Sequence, residues 1–276
     1  MALDDPAYVS ALAQRYAAQQ RPAKILSNPV IDSLLQHRSV RAYLSRPLPD
    51  GTIETLVAAA QSAASSSNLN LWSVVAVTDP AIRSQLAVLA SNQRHIEEAP
   101  LILLWVADLA RAQAVGEREA RPTDALDFLD SFVTASVDTG LAAQNAVIAA
   151  ESLGLGTVYI GALRNRPEAV AALVGLPPRA VVVFGLVVGW PDPDRPTAIK
   201  PRPAQAAVLH HDHYANGAEA DAVEAYDAAI RTFQHSQGLP ATGWKAPVLA
   251  RFANAASLNG RDRLRAALGA LGFPLR

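Results

Sequence analysis

The segment HRSVRAY, His37 to Tyr43, sets His37, Arg38, Ser39 and Arg41 close together in a chain whose formal net charge is only -1. A guanidinium presents its N–H groups as a planar fork that matches phosphate oxygens, and an imidazole and a hydroxyl beside it add donors. Two readings are open: a phosphate site, or a solvated turn next to a helix, because short motifs recur by chance. A second candidate is SSSN, where Ser65, Ser66 and Ser67 precede Asn68. Successive hydroxyls and backbone N–H groups can line a polyol or a phosphate, though an ordinary polar loop has the same composition. A third is KPRP, in which prolines hold Lys200 and Arg202 at alternate positions. That arrangement pins an anion or is a stiff basic linker.

Other residues carry weaker signals. In LGTVYIGALR the glycines precede a strand, whereas a dinucleotide fingerprint follows one, so Gly161 reads as a strand end offering its backbone N–H. LHHDHY places His210, His211 and His213 around Asp212. Their spacing is neither helical nor a usual zinc pattern, so no metal site is expected. No G-x-S-x-G elbow accompanies the serines, which argues against a Ser-His hydrolase.

The composition narrows the classes. The chain has 276 residues, half of them hydrophobic and 18% charged, which is globular and sufficient for a large core. The near-zero net charge gives no basic field for nucleic acid. The absence of cysteine removes disulfides, thiolate metal sites and cysteine nucleophiles. The N-terminal residues are acidic where a signal peptide is basic, and AVVVFGLVVGWP is too short to span a bilayer, so a cytoplasmic protein without membrane contact is expected.

The elements that must position these groups follow from periodicity. Helices are expected over 5–20, from Ile53 (with Leu56, Val57 and Ala60 on one face), around Ile82, Leu86 and Leu89, and over 124–154, where Gly154 can end the helix in the left-handed conformation. Another is expected over 165–175, with Asn165 and Glu168 as a capping box. Strands are expected at LWSVVAVTD, APLILLWVAD, TVYIGAL and AVVVFGLVVGW. Residues 108–123 read as an irregular connection. The tail reads as helical, broken at SQGLPATGW. Strands interleaved with many helices give an α/β or α+β chain. The long helix carries Ala135, Ser136, Gly140, Ala142, Ala143 and Ala146, small side chains that admit a close neighbour, and Gln144 and Asn145 need partners if buried.

Taken in order, HRSVRAY, SSSNLNLWSVVAVTD, NQRHIEEAP, AAQNAVIAAESLGLGTVYIGALRN, FGLVVGWP, KPRP and HHDHY closely resemble the nitroreductase family. Within it they resemble the FMN-dependent, NAD(P)H-oxidising branch of oxygen-insensitive nitroreductases and flavin reductases. The resemblance runs from Asn28 to Tyr214 and more weakly through GRDRLRAALGALGFPLR at the end. It implies an α+β fold of three layers, with a mixed, mainly antiparallel sheet between helices, and an intertwined homodimer. It divides the chain into an extension (1–27), an FMN-binding core (28–205) and a C-terminal extension (206–276) reaching over the partner subunit. By position, His37, Arg38 and Ser39 would hold the FMN phosphate with Lys200 and Arg202, and Arg41 would lie near the pyrimidine edge of the ring. Ser65, Ser66 and Ser67 would come from the other subunit. Asn70 and Gln93 would contact the ring's polar edge, and Tyr159, Ile160, Gly161 and Ala162 would pass along it. Arg261 would contact the nicotinamide substrate. No catalytic side chain is implied, because hydride passes between NAD(P)H and the flavin.

The expected activity is the ping-pong reduction of nitroaromatics, quinones or free flavin. A flavin-storage module and a specialised oxidase or dehydrogenase of a dedicated metabolite are the alternatives. Asn70 stands where the branch has glutamine, Ala162 replaces the second of two glycines, and Gln237 stands near the place of an arginine for the 2′-phosphate of NADPH.

Overall fold

A computed structural model of the protein describes residues 6–16, 22, 25–217 and 219–276. In chain order its elements are α1 (Pro6–Tyr16), α2 (Pro29–Gln36), α3 (Thr52–Gln61), β1 (Trp72–Val77), α4 (Pro80–Leu89), α5 (His95–Glu98), β2 (Leu101–Asp108), α6 (Ala110–Arg118), α7 (Leu129–Ser152), β3 (Gly156–Ile160), α8 (Pro167–Val174), β4 (Ala180–Gly189), α9 (Ala220–Ser236), α10 (Lys245–Arg251) and α11 (Leu264–Ala270). They fall into two compact units. One comprises residues 1–38 and 197–258, the other residues 39–196 and 259–276.

The larger unit is built on a sheet of order β1-β2-β4-β3 in which every pairing is antiparallel. The long apolar runs of β2 and β4 occupy the centre, where both faces are covered. Alternate side chains of a strand point to opposite faces. Ile102, Leu104 and Val106 pack with Leu86 of α4, Ile96 of α5 and Val170 of α8. Leu101, Leu103 and Trp105 pack with Leu56 of α3 and with Ala142, Ala146 and Ala150 of α7. The result is the three-layer arrangement expected from the resemblance. A third cluster joins Leu71, Ala107 and Val181 to Leu268 and Phe273, so residues near the C-terminus complete this unit's core. Asp127 fastens the same region: its carboxylate meets Arg179 at 2.5 Å and Arg276 at 3.1 Å.

The four expected strands all form, with ends shifted by up to three residues, most at the end of β3. The chain leaves β3 at Ile160 and turns through a 3-10 segment, Gly161–Asn165, so the strand does not run on to Leu163. The long helix also starts later than expected. Residues 124–127 make a 3-10 turn, and the helix proper begins at Leu129. It ends as expected, on Gly154 at φ +76°. The N–H groups of Gly154 and Leu155 donate to the carbonyls of Glu151 and Ala150, both at 3.0 Å, closing a Schellman motif.

Two expectations fail. Residues 110–118 form a helix, α6, instead of an irregular connection. Its apolar anchors are few, Leu109 at the N-cap and Ala112 in the third cluster, and Arg111, Gln113, Glu117 and Arg118 make it polar on average, so it reads as a connection. Arg111 holds it down by donating to the Trp72 carbonyl at 2.8 Å and the Ser73 hydroxyl at 2.6 Å. The capping box at α8 does not form either. Asn165 donates to the Ser91 hydroxyl at 3.2 Å, and both Glu168 oxygens accept from Arg263, at 2.7 and 2.9 Å. Pro167 opens α8 and has no N–H to cap.

In the smaller unit α2 begins at an Asn28 N-cap, whose side-chain oxygen accepts from the Ile31 N–H at 2.9 Å. α1 lies within the span expected to be helical, and that span's residues 5 and 17–20 lie outside the described residues. In the tail, the expected break separates α9 from α10. Asp227 organises it, accepting from the N–H groups of Trp244 and Lys245 at 2.7 and 2.8 Å.

Arg263 holds the Glu168 carboxyl below its ordinary value of 4.5. The ion pair's stabilisation is therefore present above that value and disappears as pH falls through the lowered one. The thermal midpoint of wild type should exceed that of Glu168→Gln near neutrality, and the gap should narrow progressively as pH falls below the ordinary carboxyl range. A gap that stays constant with pH would show that the pair contributes nothing through ionisation.

Candidate functional site

The smaller unit carries four of the candidate phosphate-binding residues picked out from sequence: His37, Arg38, Lys200 and Arg202. His37 ends α2, and its N–H donates to the Leu34 carbonyl at 3.3 Å. Arg38 follows with an exposed side chain. Lys200 and Arg202 are exposed on either side of buried Pro201. The two segments are held to a common point: Arg15 donates to the carbonyls of Leu35 at 3.0 Å, of His37, and of Lys200 at 2.8 Å. The Tyr226 hydroxyl donates to the Pro201 carbonyl at 3.3 Å. Burial raises the pKa of this phenol, and Arg202 and Arg15 oppose the rise. The resemblance assigns His37, Arg38, Ser39, Lys200 and Arg202 to one site; within this unit main-chain atoms of His37, Lys200 and Arg202 all bond to Arg15, and Ser39 belongs to the larger unit. Arg15 was missed, because a lone arginine in an alanine-rich helix reads as a solvated residue.

The larger unit carries the remaining candidates. Ser39 bridges Thr157 in parallel, and the Val40 N–H donates to the Thr157 carbonyl at 2.9 Å, so this segment lies along the outer edge of β3. Gly156 permits the approach, since a Cβ there would stand 2.7–2.9 Å from Val40 side-chain atoms. Arg41, the next residue, is exposed, and Tyr43 is buried with its hydroxyl on the Val40 carbonyl at 2.7 Å. Burial drives the Tyr43 phenol far above its ordinary range.

The serine loop has a buried anchor. Asp138 of α7, only 1% exposed, accepts from the Ser65 hydroxyl at 2.6 Å and the Ser66 N–H at 3.0 Å. The Ser65 hydroxyl in turn accepts from the Asn70 N–H at 2.7 Å. Ser67, Asn68 and Asn70 adopt left-handed φ values of 48°, 56° and 51°. Such conformations carry a cost for residues other than glycine and persist where surrounding bonds impose them. Asp138 holds Ser65 and Ser66, and Ser65 in turn accepts from the N–H groups of Asn68 and Asn70. The signal of Asp138 in the sequence was an acidic residue on the small-residue side of a helix, and it went unread.

Tyr159, at the exposed end of β3, packs edge-on against Phe184 at 5.0 Å, and its hydroxyl meets Gln144 Oε1 at 3.4 Å. Asn145 finds the Ala59 carbonyl of α3 at 3.2 Å. Ile160 is buried, and Gly161 and Ala162 are half-buried where the strand ends. The Arg164 guanidinium passes beside Gly161 and donates to the Val183 carbonyl. Gln93 is half-buried, its amide N–H on the Ala90 carbonyl at 2.9 Å. Two residues on, His95 keeps Nε2 buried without a hydrogen-bond partner, and its pKa is lowered by burial and by Arg41 against an opposing pull from Glu98. Arg261 is half-buried in the turn before α11.

The His210 ring rests on Tyr214 at 4.2 Å, with Nδ1 accepting from the Ala215 N–H at 3.3 Å. Among the described residues no group of three His, Cys, Asp or Glu side chains is arranged to hold a metal. Among them, too, no helix is long and apolar enough to cross a membrane.

Comparison with known proteins agrees with these features. A family model described as the nitroreductase family matches residues 34–190, and one described as its C-terminal domain matches residues 200–276. The chain is 36% identical over 210 residues to an NADPH-flavin oxidoreductase of Vibrio harveyi, covering 76% of this chain and 84% of that one. It is 38% identical over 187 residues to an oxygen-insensitive NADPH nitroreductase of Salmonella typhimurium, covering 68% and 75%. The solved structure of B. megaterium NfrA2 superposes with a TM-score of 0.85 at 35% identity, covering 91% of this chain and all of the other.

Asp138→Ala removes two hydrogen bonds to a buried carboxylate and leaves a strained loop without its anchor. A loss of about 3 kcal/mol in unfolding free energy is expected from urea denaturation. A change near zero would mean that the loop holds its shape without Asp138.

Proposed function

Because the chain belongs to the nitroreductase family, we propose that it is an FMN-dependent oxidoreductase that takes hydride from NADPH or NADH and delivers it to a nitroaromatic, a quinone or a free flavin. The observation that carries the reading is the convergence of His37–Arg38 and Lys200–Arg202 on one guanidinium. Cations on two segments, fixed through their main chain, suit an anion with nearly two charges and several acceptor oxygens. His37, Arg38, Lys200 and Arg202 would hold the phosphate, and Ser39 would add a hydroxyl.

For the flavin ring, Tyr159, Ile160, Gly161 and Ala162 would line one edge with main-chain groups, and Gln93 and Asn70 would meet polar atoms. Arg41 would set a positive charge near the pyrimidine edge and favour the reduced ring. Ser65, Ser66 and Ser67 would contribute from a second copy, and Arg261 would meet the nicotinamide substrate. Bound FMN supplies an N5 that accepts hydride and gives it up again, so the protein's part is to bind, orient and polarise. The reading includes a homodimer. In support, Leu129, Val133, Val137 and Leu141 recur every four residues along α7 and are 44–55% exposed, an apolar stripe that water does not favour. It also includes a cytoplasmic location, where the reduced nicotinamide donors are supplied.

Purified protein should be yellow or become so on adding FMN, and anaerobic NADPH or NADH should bleach it. A protein that binds no FMN refutes the reading. Arg38→Ala removes a charge-assisted bond worth about 1.5–3 kcal/mol, which is a weakening of FMN binding of roughly tenfold to a hundredfold. Unchanged affinity by fluorescence titration would remove Arg38 from the phosphate site. Val137→Glu places a charge in the apolar stripe and should shift the protein from dimer to monomer in light scattering. A wild-type protein that is already monomeric would dispose of the dimer.

A further inference from the structure

α1 precedes the stretch over which the resemblance runs, and none of its residues is among those proposed to touch FMN. Its Arg15 is nevertheless among the most buried charged side chains described, at 6% exposure. One guanidinium donates to Leu35 O, His37 O and Lys200 O. The Arg202 N–H returns a bond of 2.7 Å to the Arg15 carbonyl. On the two cationic segments these bonds engage main-chain atoms of His37, Lys200 and Arg202.

We propose that Arg15 is a positioning residue for the phosphate of FMN, a clamp that holds the His37–Arg38 and Lys200–Arg202 segments together. The inference rests on the proposed function. Arg38, Lys200 and Arg202 put three like charges on segments that meet, and their repulsion favours separation of the segments until an anion arrives. Ordering them at the moment of binding would subtract from affinity, and ordering them beforehand avoids that loss. Arginine suits the task, because its separate nitrogens reach three carbonyls in different directions, whereas a lysine presents one nitrogen. α1 is then a built part of the cofactor site.

The test compares FMN with riboflavin, which has the same ring and lacks the phosphate, by fluorescence titration of the full-length protein. In Arg15→Met, FMN binding should weaken about tenfold or more while riboflavin affinity stays within about twofold. Arg15→Lys, which keeps the charge and loses part of the fork, should fall between wild type and Arg15→Met. If Arg15→Met does not fold, the lysine variant carries the same comparison. FMN and riboflavin affinities that fall by one common factor, or that do not change, overturn the clamp, since a general loss of structure does not single out the phosphate. A wild-type protein that binds FMN no more tightly than riboflavin overturns the phosphate site itself, and the clamp with it.

Discussion

Burial of β2 and β4 on both faces is the constraint from which the larger unit follows. A strand with apolar side chains on both faces needs a layer on each side, and here α3 with α7 supplies one and α4, α5 and α8 the other. Once the two strands are central, β1 and β3 are edges. The edge of β3 takes up the Ser39–Val40 segment, and the end of β3 presents Gly161. The main-chain groups proposed to line the flavin ring therefore sit where β3 stops, on a short irregular piece held by the core. The alanines of α7 belong to the same constraint: they let a long helix lie close to the sheet and to α3, while its outward stripe stays apolar.

Where regular structure ends, single charged side chains take over the work of fixing the backbone. Asp138 orders the serine loop, Asp227 orders the turn before α10, Asp127 fastens the C-terminal residues, and Arg15 joins two cationic segments. Each is well buried or nearly so, and each meets several main-chain or side-chain groups. A buried charge is tolerable only when its hydrogen-bonding capacity is met, and the same low dielectric makes the bonds it forms strong. Loops restrained in this way hold their donors ready for a ligand.

Much of the fold was legible because its elements are strongly patterned. The strands LILLWVAD and AVVVFGLVVG carry continuous apolar runs, and Gly154 marks a helix end that its left-handed conformation explains. α6 was not legible, since its helix rests on two apolar anchors and on Arg111 reaching across to the Trp72 and Ser73 region. The capping box of Asn165 and Glu168 had the right spacing, yet Ser91 and Arg263, distant in sequence, took both side chains. Of the candidate site, the cation-bearing motifs and the serine run were readable as residue types in a family order. The groups that hold them in place were not.

The sequence by itself determined the alternation of elements, the positions of cations, serines and glycines, and membership of a family, because these are properties of residue type, spacing and order. Only the tertiary structure decided which partner each polar side chain takes. Arg15 and Lys200 are 185 positions apart, and Ser65 and Asp138 are 73 apart. No local pattern encodes such pairs: they exist because packing of the apolar surfaces brings distant segments together and so decides which groups each of these side chains can reach.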